Sequence, residues 1–383
     1  MRYDVALAAC KSYEDAEVSA ALETAVTAAG GLDWVTPGMR VALKLNLVSA
    51  MKPEEAATVH PAVVCALVRM LQARGAHVVL GDSPGGLYNA AHLQRVYDVT
   101  GLRAAEALGA ELNGDFSVCS VSYPEAVQAR SFTETAYLRN ADAIIDVCKL
   151  KTHGMMGMTN AVKNFFGIIP GTMKPEYHYK YPQISDFSNM LIDLSTYFKP
   201  RICICDAVVG MEGNGPTAGQ NRHIGLVMAS ENAHALDLAS CYLIDYAPNE
   251  VDTVREAIER GLVCDSAEKI DIAGEDIKPL VMKDYLKPES HFNLIKLISL
   301  PDALNARLIN ALASKPAMDY DICVGCGECA RCCPPKAIDM SSGKPVIDTK
   351  RCIKCFCCQE LCPKKAVKIK RPLLNRFMIK FLK

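Results

Sequence analysis

The chain has 383 residues, of which 50% are hydrophobic and 22% are charged, so it is long enough for one large globular domain and a smaller one. Its formal net charge of −1 excludes the overall basic field that would favour nucleic acid as a partner. No apolar stretch reaches the roughly 20 residues of a membrane-spanning helix, and the N-terminus lacks the basic start and full apolar segment of an export signal. We therefore predict a cytoplasmic protein without a transmembrane segment, in which residues 1–10 contain a first β-strand.

Apolar, β-rich runs alternate with helix-like stretches over most of the chain. A segment with helical spacing occupies residues 61–75 and ends at Gly75. After the first strand, the predicted strands are 41–48, 77–82, 141–150, 201–209, 223–230 and 270–275. Continuous apolar runs of this kind are typical of parallel strands that are buried on both faces. The alternation predicts an α/β domain with a mostly parallel sheet and flanking helices over residues 1–312.

The C-terminal part of the chain departs from this pattern. Residues 276–317 are less regular and contain several prolines, among them Pro288 and Pro301, which favours a connecting segment. Residues 318–370 are predicted to form a small α+β domain of the ferredoxin type. Residues 371–383 form a tail of basic and apolar residues that could lie on a membrane surface, although we favour packing against the protein itself.

Ten of the eighteen cysteines lie between Cys323 and Cys362. In a reducing cytoplasm, clustered cysteines bind metal rather than form disulfides. Two runs match C-x2-C-x2-C-x3-C-P, in which three closely spaced thiolates hold one [4Fe–4S] cluster and the fourth reaches the other. The sequence therefore predicts two [4Fe–4S] clusters, one held by Cys323, Cys326, Cys329 and Cys362, the other by Cys352, Cys355, Cys358 and Cys333.

Zinc bound by four cysteines is the alternative, but structural zinc sites usually use two distant C-x2–4-C pairs. A triple run followed by Cys-Pro, present twice, favours iron–sulfur clusters. Cys332 and Cys357 do not fit the ligand pattern, and we interpret both as packing residues. The flanking segments 320–322, 336–338 and 365–367 resemble those of bacterial two-cluster ferredoxins, which implies single-electron transfer.

Polar residues follow the ends of the predicted strands, where open α/β sheets bind their ligands. Lys44 and Asn46 are two residues apart in one strand and therefore share a face. A lysine inside an apolar strand is costly unless it is paired or functional, so a salt bridge is the alternative to ligand binding. The glycine-rich turn after the next strand begins with Asp82 and Ser83, and it could bring backbone N–H groups close to an anion.

The strand that ends near residue 150 carries the most polar side chains. Lys149, Lys151 and His153 alternate along the chain and lie on one face if the backbone is extended. Thr159 and Lys163 are four residues apart, which predicts a shared helix face. Lysines, a histidine and a threonine near one turn suit a carboxylate or phosphate ligand, with a solvated basic surface as the alternative.

Further polar residues complete the predicted site. Asn164 follows Lys163, and the loop 211–217 contains Glu212 and Asn214. Glu212 could act as an acid or base, with a plain turn as the alternative. The predicted catalytic residues are Lys149, Lys151, His153, Lys163 and Glu212. The predicted substrate-binding residues are Lys44, Asn46, Asp82, Ser83, Thr159, Asn164 and Asn214.

Together these motifs resemble the domain of unknown function 362 family. The matching segments are KLNLV, GDSPGG, KLKTH, TNAVKN and EGNGPT, and the resemblance spans most of residues 1–310. Many members of that family end in the same ferredoxin module. The resemblance does not define an activity, but it implies that the lysine–histidine group is the site to test.

The sequence leaves more than one function open. One is an iron–sulfur oxidoreductase whose electrons reduce a small anionic substrate or cofactor held by the lysines. Another is a ferredoxin-like electron carrier or adaptor, whose α/β domain docks a partner enzyme and performs no chemistry. Non-redox chemistry with structural clusters is a third. Both redox functions need a redox partner protein as electron donor or acceptor, and lysines inside apolar strands favour the oxidoreductase.

Overall fold

The computed structural model describes residues 3–288 and 314–370. In the larger part the strands are β1 (Val5–Ala9), β2 (Arg40–Leu45), β3 (His77–Gly81), β4 (Glu111–Leu112), β5 (Val118–Ser122), β6 (Ser131–Thr135), β7 (Ala143–His153), β8 (Gly157–Thr159), β9 (Ile202–Glu212), β10 (Gln220–Ser230) and β11 (Ile272–Gly274). The helices are α1 (Asp15–Ala28), α2 (Pro61–Gln72), α3 (Ala90–Val99), α4 (Arg103–Ala107), α5 (Ala161–Asn164), α6 (Lys174–Lys180), α7 (Ile184–Phe198), α8 (Ala233–Leu243) and α9 (Asp252–Glu259).

Nine of these strands form one mixed sheet in the order β11-β1-β10-β9-β7-β2-β3-β4, with β8 beside β7. The parallel pairs are β1–β11, β2–β3, β2–β7, β3–β4 and β7–β9. The antiparallel pairs in this sheet are β1–β10, β9–β10 and β7–β8. The predicted α/β fold with a mostly parallel sheet is therefore confirmed.

The sheet separates two apolar core layers. Val41, Leu43 and Leu45 of β2 face one layer, which also contains residues of α1, α2 and α3. Ala42 faces the other layer, to which α7, α8 and α9 contribute. Because both faces are covered, the central strands are apolar at almost every position, as the sequence indicates.

The order of the strands creates a switch point between β2 and β7. The chain continues from β2 to β3 on one side, and from β7 to β9 on the other, while β2 and β7 lie next to each other in parallel. Open α/β sheets bind ligands beyond the carboxyl ends of the strands at such a point. Asn46 directly follows β2 and Lys151 lies near the end of β7, so the fold places both side chains there.

The C-terminal module is small and consists of short elements. Strand β12 (Lys315–Met318) pairs with β15 (Val367–Lys370), and β13 (Ile338–Asp339) pairs with β14 (Val346–Ile347), both antiparallel. Two single-turn helices, Glu328–Arg331 and Cys357–Glu360, complete it. This arrangement confirms the predicted small α+β fold of the C-terminal region.

The structure corrects one local prediction. Thr159 is the last residue of β8 and not part of a helix, so Thr159 and Lys163 do not share a helix face. Gly157, with a φ of 76°, allows the chain to turn back on itself, and β8 pairs with the end of β7 so that Thr159 lies opposite Lys151.

The predicted domain limits remain predictions. The tail 371–383 and most of the predicted connection lie outside the described residues. Among the described residues, none of the helices has the length and apolar character that crossing a membrane requires.

Candidate functional site

A network of buried polar side chains joins the ends of β2, β3 and β7. Lys44 Nζ lies 2.8 Å from Asp82 Oδ1, and both side chains are buried. Asp82 Oδ2 also accepts a hydrogen bond of 2.7 Å from Leu47 N. The structure thus places Lys44 in a salt bridge, and its charge is compensated inside the protein.

Lys151 occupies the centre of this network. Its Nζ donates hydrogen bonds to Asn46 Oδ1 at 2.7 Å and to Ala57 O at 2.5 Å, and Asn46 Nδ2 donates to Asn164 Oδ1 at 3.0 Å. An ammonium group has three donors, so one N–H of Lys151 remains for a ligand. Burial, and then repulsion from Lys163, lower the pKa of Lys151 to about 7.

Lys151 borders a cavity of about 90 Å³ between the sheet edge and the C-terminal module. Seven of the predicted site residues line it: Asn46, Asp82, Ser83, Lys151, Thr159, Lys163 and Asn164. The module contributes Cys357, Glu360 and Leu361 to the same wall. The pocket is therefore built from the α/β part of the chain and the C-terminal module together.

Two further lysines line this pocket, Lys163 and Lys174. Their Nζ atoms lie 5.6 Å and 5.8 Å from the centre of the Phe166 ring, so one aromatic ring holds both ammonium groups at one wall. Burial lowers the pKa of both lysines, that of Lys174 to about 7. Lys174 Nζ donates to Ser83 O and Ile169 O, whereas within the described part of the chain Lys163 Nζ has neither a hydrogen bond nor an ion pair.

Three buried polar atoms of the pocket wall have no hydrogen-bond partner among the described residues. They are Ser83 Oγ, Thr159 Oγ1 and His178 Nδ1, on side chains that are no more than 4% exposed. Burial lowers the pKa of His178 to about 3, so its ring is neutral. Buried polar atoms are nearly always hydrogen-bonded, so this wall has unused capacity for a polar ligand.

His153 contacts the C-terminal module. Its Nδ1 accepts hydrogen bonds from Met155 N and Met156 N at 3.1 Å and 3.2 Å, which assigns the proton of the neutral ring to Nε2. Nε2 lies 3.1 Å from Glu360 Oε1. Burial, and then Lys163, lower the pKa of His153 to about 4. Burial opposes the charge on Glu360, but its contacts with His153 and Lys163 outweigh burial and hold the pKa of Glu360 below its usual value.

Lys149 belongs to a separate polar group and does not line the pocket. Its Nζ lies 2.8 Å from Asp206 Oδ2 and donates to the Tyr13 hydroxyl at 2.8 Å. Tyr13 stacks on His60 with ring centroids 3.6 Å apart. The register between β7 and β9 shifts between Lys149 and Lys151, so these two lysines end up in different environments.

The loop after β9 places Pro216 in the pocket wall, but not Glu212 or Asn214. Glu212 Oε2 accepts a hydrogen bond of 3.1 Å from Leu286 N. Asn214 O accepts one of 3.2 Å from Gln359 Nε2 of the module. The loop thus contacts the module through Asn214, whereas Glu212, the last residue of β9, accepts its hydrogen bond from the larger part of the chain.

The eight predicted cluster ligands divide into two groups in space. Cys323, Cys326, Cys329 and Cys362 line one pocket. Cys333, Cys352, Cys355 and Cys358 line another, which Cys357 also borders. Each group combines three cysteines of one run with the fourth of the other, as interleaved ligation requires. Four thiols around one space fit a [4Fe–4S] cluster.

The fourth cysteine of each run accepts a backbone hydrogen bond. Ala337 N donates to Cys333 Sγ and Ala366 N donates to Cys362 Sγ, both at 3.2 Å. Hydrogen bonds to ligand sulfurs orient them and help to set the reduction potential of a cluster. The two runs therefore share their local geometry as well as their sequence pattern.

Sequence patterns did not reveal Lys174, His178 or Glu360. Lys174 and His178 are four residues apart in α6, a spacing that places them on one helix face and could have marked them. Glu360 lies between Cys358 and Cys362, two predicted ligands of the second run, at a position that the pattern leaves undefined. Only the packing of the module against the sheet edge brings it to the pocket.

The fold and the site define an α/β protein with a pocket at its switch point and a ferredoxin-type module beside it. Domain of unknown function (DUF362) matches residues 41–242, and a 4Fe-4S dicluster domain matches residues 315–363. The chain therefore belongs to the DUF362 family, as its motifs suggested. Its C-terminal domain is of a type that binds [4Fe–4S] and supports iron–sulfur electron transfer.

A thylakoid-associated protein of Synechocystis sp. is 31% identical over 269 residues, which are 69% of this chain and 81% of that protein. The lactate racemase apoprotein of Thermoanaerobacterium thermosaccharolyticum matches with a TM-score of 0.41 and 10% identity, over 64% of this chain and 58% of that one. A protein from Thermotoga maritima matches with a TM-score of 0.31 and 12% identity, over 52% and 51%. The chain thus spans less than two thirds of either solved structure.

Proposed function

We propose that this protein is an iron–sulfur oxidoreductase, which carries two [4Fe–4S] clusters and passes single electrons to an anionic substrate or cofactor in the lysine-lined pocket. The position of Cys357 carries this proposal. Cys357 borders both that pocket and the space lined by Cys333, Cys352, Cys355 and Cys358. One side chain therefore separates the proposed electron source from the proposed acceptor.

Two parts of the module have different proposed roles: the cysteines bind the clusters, and the adjoining wall contacts the ligand. When bound, [4Fe–4S] clusters accept and donate electrons one at a time. The two groups of four cysteines would hold them, and residues 357, 360 and 361 would face the ligand. Residues 323–333 do not line the pocket, so a ligand there would lie against the second cysteine run.

The pocket residues would bind the anion and supply protons. Lys163 and Lys174 approach from the Phe166 wall and Lys151 from the sheet, so that negative charge developing during reduction would be neutralised. Lys151 has a pKa of about 7, and a general acid works best when its pKa lies near the working pH. Phe166 and Leu361 add apolar surface to the wall and would limit access of water.

A second candidate is an electron carrier that serves a partner enzyme. Tyr320, Ile322 and Val324, beside the first cysteine run, are 50%, 41% and 61% exposed, and Cys326 is exposed as well. Exposed apolar side chains of this kind favour a docking protein, which the oxidoreductase also needs as its electron donor. The three pocket lysines have no role in a carrier, and they favour the first candidate.

A reducing compartment such as the cytoplasm suits this proposal. None of the eighteen cysteines, all of which the structure describes, forms a disulfide, so all eight predicted ligands are available for clusters. Thiols persist in the cytosol, where disulfides are rare.

Anaerobic reoxidation of the reduced holoprotein tests the proposal. Its iron–sulfur absorbance is followed with a panel of small carboxylates and phosphates as acceptors. We expect one class of anion to accelerate reoxidation, and Lys163→Met to abolish the acceleration without changing the visible spectrum. Lys180→Met is the matched control, because Lys180 is an exposed lysine at the end of α6. If every small anion is inactive and only a protein reoxidises the chain, the oxidoreductase is wrong and the carrier is supported.

A further inference from the structure

The polar groups of the pocket specify the charge of its ligand. We propose that the pocket binds a compact dianionic oxyanion, which is either a phosphoryl group or a dicarboxylate. The binding groups are Lys151, Lys163, Lys174, Ser83, Thr159 and His178. The proposal rests on the proposed function only in taking this pocket as the substrate site.

The charges in the wall favour a dianion. Three lysines line the pocket against two carboxylates, Asp82 and Glu360. Asp82 is paired with Lys44, so only Glu360 remains to offset the three ammonium groups. When all three lysines are protonated, three positive charges against one negative charge leave an excess of two. A dianion compensates that excess and a monoanion does not.

Hydrogen-bond capacity favours the same class of ligand. Lys151 and Lys174 each donate to two protein oxygens and keep one N–H, while Lys163 keeps all three. Two hydroxyls and one imidazole nitrogen in the wall also have no partner among the described residues. These groups offer more donors than the about four lone-pair sites of a single carboxylate can accept. A group with three or four oxygens, or two carboxylates, can use them.

The donors also border one small cavity. The ammonium groups of Lys163 and Lys174 both lie within 5.8 Å of the centre of the same ring. Lys174 donates to the backbone oxygen of Ser83, and Thr159 is paired with Lys151 across the β7–β8 hairpin. Donors that line one cavity of about 90 Å³ suit a compact anion better than an extended one.

Calorimetry on the oxidised holoprotein, under anaerobic conditions, tests the ligand class. The probes are sulfate and phosphate as tetrahedral dianions, malonate as a dicarboxylate and acetate as a monoanion. We expect saturable binding of at least one dianion class, and binding of acetate that is weaker by about tenfold or more. The tighter of the two dianion classes shows whether the natural ligand carries a phosphoryl group or two carboxylates.

Thr159→Val separates a ligand-binding hydroxyl from a structural one. The variant keeps the shape of the side chain and removes a hydroxyl that has no partner among the described residues. We expect dianion binding to weaken by about fivefold to tenfold, with the melting temperature unchanged or higher. A hydroxyl with a structural partner would instead lower the melting temperature.

Lysine variants provide the matched comparison. Lys163→Met should weaken dianion binding by more than about tenfold, whereas Lys180→Met should not change it. The proposal is overturned if no dianion binds saturably, if acetate binds as tightly, or if both lysine variants lose affinity equally. Binding requires no electron transfer, so dianion binding without anion-dependent reoxidation refutes the proposed function alone. Reoxidation by a monoanion, without dianion binding, refutes the ligand class alone.

Discussion

The lysines near the strand ends fall into two groups that differ in their partners. Lys44 and Lys149 each form an ion pair of 2.8 Å with an aspartate, so their charges are compensated. Lys151 and Lys174 donate only to uncharged oxygens, and Lys163 has no such bond within the described residues. Uncompensated charges at a buried wall are costly, and their concentration in one pocket is typical of a functional site.

Replacing Lys163 with methionine should stabilise the free protein. Burial lowers the pKa of Lys163, which means that the folded state disfavours its charged form. We expect Lys163→Met to raise the free energy of unfolding by about 1 kcal/mol, measured by anaerobic denaturant titration. Lys180→Met should change it by less than about 0.5 kcal/mol. A clear loss of stability in Lys163→Met would show that the ammonium group has a structural partner.

Sulfate binding should weaken as the pH rises above neutrality. The pKa values of Lys151 and Lys174 are lowered to about 7, so both lysines lose their charge above that pH. A bound dianion favours the protonated forms, so binding takes up protons above about pH 7 and is insensitive to pH well below it. We expect the affinity to fall by about tenfold per pH unit for each lysine involved, measured by calorimetry with sulfate because its charge is constant in this range.

The charged groups around Lys151 and Lys174 determine the pH range in which sulfate binding weakens. The charged groups that act on the two lysines are Lys44, Lys149, Lys163, Asp82 and Glu360. The carboxylates raise the lysine pKa values and the other lysines lower them, while His153 and His178 stay neutral because their pKa values are about 4 and 3. Lys151→Met should reduce the slope of sulfate affinity against pH, because one titrating lysine is removed. A flat profile above neutrality would contradict titration of the pocket lysines.

Part of the pocket could be predicted from sequence. Asp82, Lys151 and Thr159 follow or interrupt apolar runs near strand ends, where the physics of a parallel sheet places ligands. Lys149 occurs in the same pattern, yet it pairs with Asp206 of another strand, a contact that no local pattern encodes. Glu360 reaches the pocket only through tertiary packing, so its role could not be inferred from its neighbours in the chain.

At the level of elements, the segment Phe165–Ile168 passes very close to the ends of β2 and β3. A Cβ atom at Gly167 would lie 2.0 Å from Asp82 Oδ1 and 2.6 Å from Lys44 Nζ. Gly167 O also accepts a hydrogen bond of 2.9 Å from Ser83 N. Glycine therefore lets this segment close over the buried ion pair and form one wall of the pocket.

Gly167→Ala should separate Lys44 from Asp82. Breaking a buried ion pair leaves an uncompensated charge, so we expect the free energy of unfolding to fall by about 3 kcal/mol, measured by denaturant titration. Gly114→Ala is the matched control, because nothing lies within 4 Å of a Cβ atom there, and it should cost less than about 1 kcal/mol. Equal effects of the two substitutions would mean that the ion pair tolerates the added methyl group.

The strands were predictable where apolar runs are continuous, but their directions were not. Both faces of β1 and β10 are buried along most of their length, so their antiparallel pairing has the same apolar pattern that parallel strands have. The β7–β8 hairpin depends on the backbone of Gly157, which apolar periodicity does not report. Apolar periodicity therefore predicts where the strands lie in the sequence. The geometry of the turns between them determines whether neighbouring strands pair parallel or antiparallel.

At the level of the whole molecule, several polar contacts join the module to the α/β domain. Thr217 Oγ1 donates to Glu360 O at 3.2 Å, and Lys365 Nζ lies 3.0 Å from Glu55 Oε1. With the His153–Glu360 contact at 3.1 Å, they orient the second cysteine run toward the sheet edge. Glu360 therefore takes part both in the pocket wall and in the seating of the module.

Cys355→Ser and Cys332→Ser should differ in iron content. Cys355 lines one of the two cysteine pockets, whereas Cys332 lines neither. We expect about eight irons per chain in the unmodified protein, loss of about half in Cys355→Ser, and no loss in Cys332→Ser, measured by iron analysis and electron paramagnetic resonance. Anion-dependent reoxidation should disappear in Cys355→Ser alone. Iron loss in Cys332→Ser would show that the ligand assignment is wrong.

The pocket is formed by the α/β part of the chain together with the C-terminal module, which has a consequence for how the protein acquires its clusters. Its wall combines residues 46–216 with residues 357–361, and small metal-binding modules rarely fold without their metal. On the proposed function, we expect the pocket to remain open to solvent in a newly made chain that has not yet received iron and sulfide. Insertion of the clusters would also complete the wall of the pocket around its ligand. Cofactor insertion would then act as an assembly checkpoint, and an immature chain would neither retain its ligand nor release a half-reduced product.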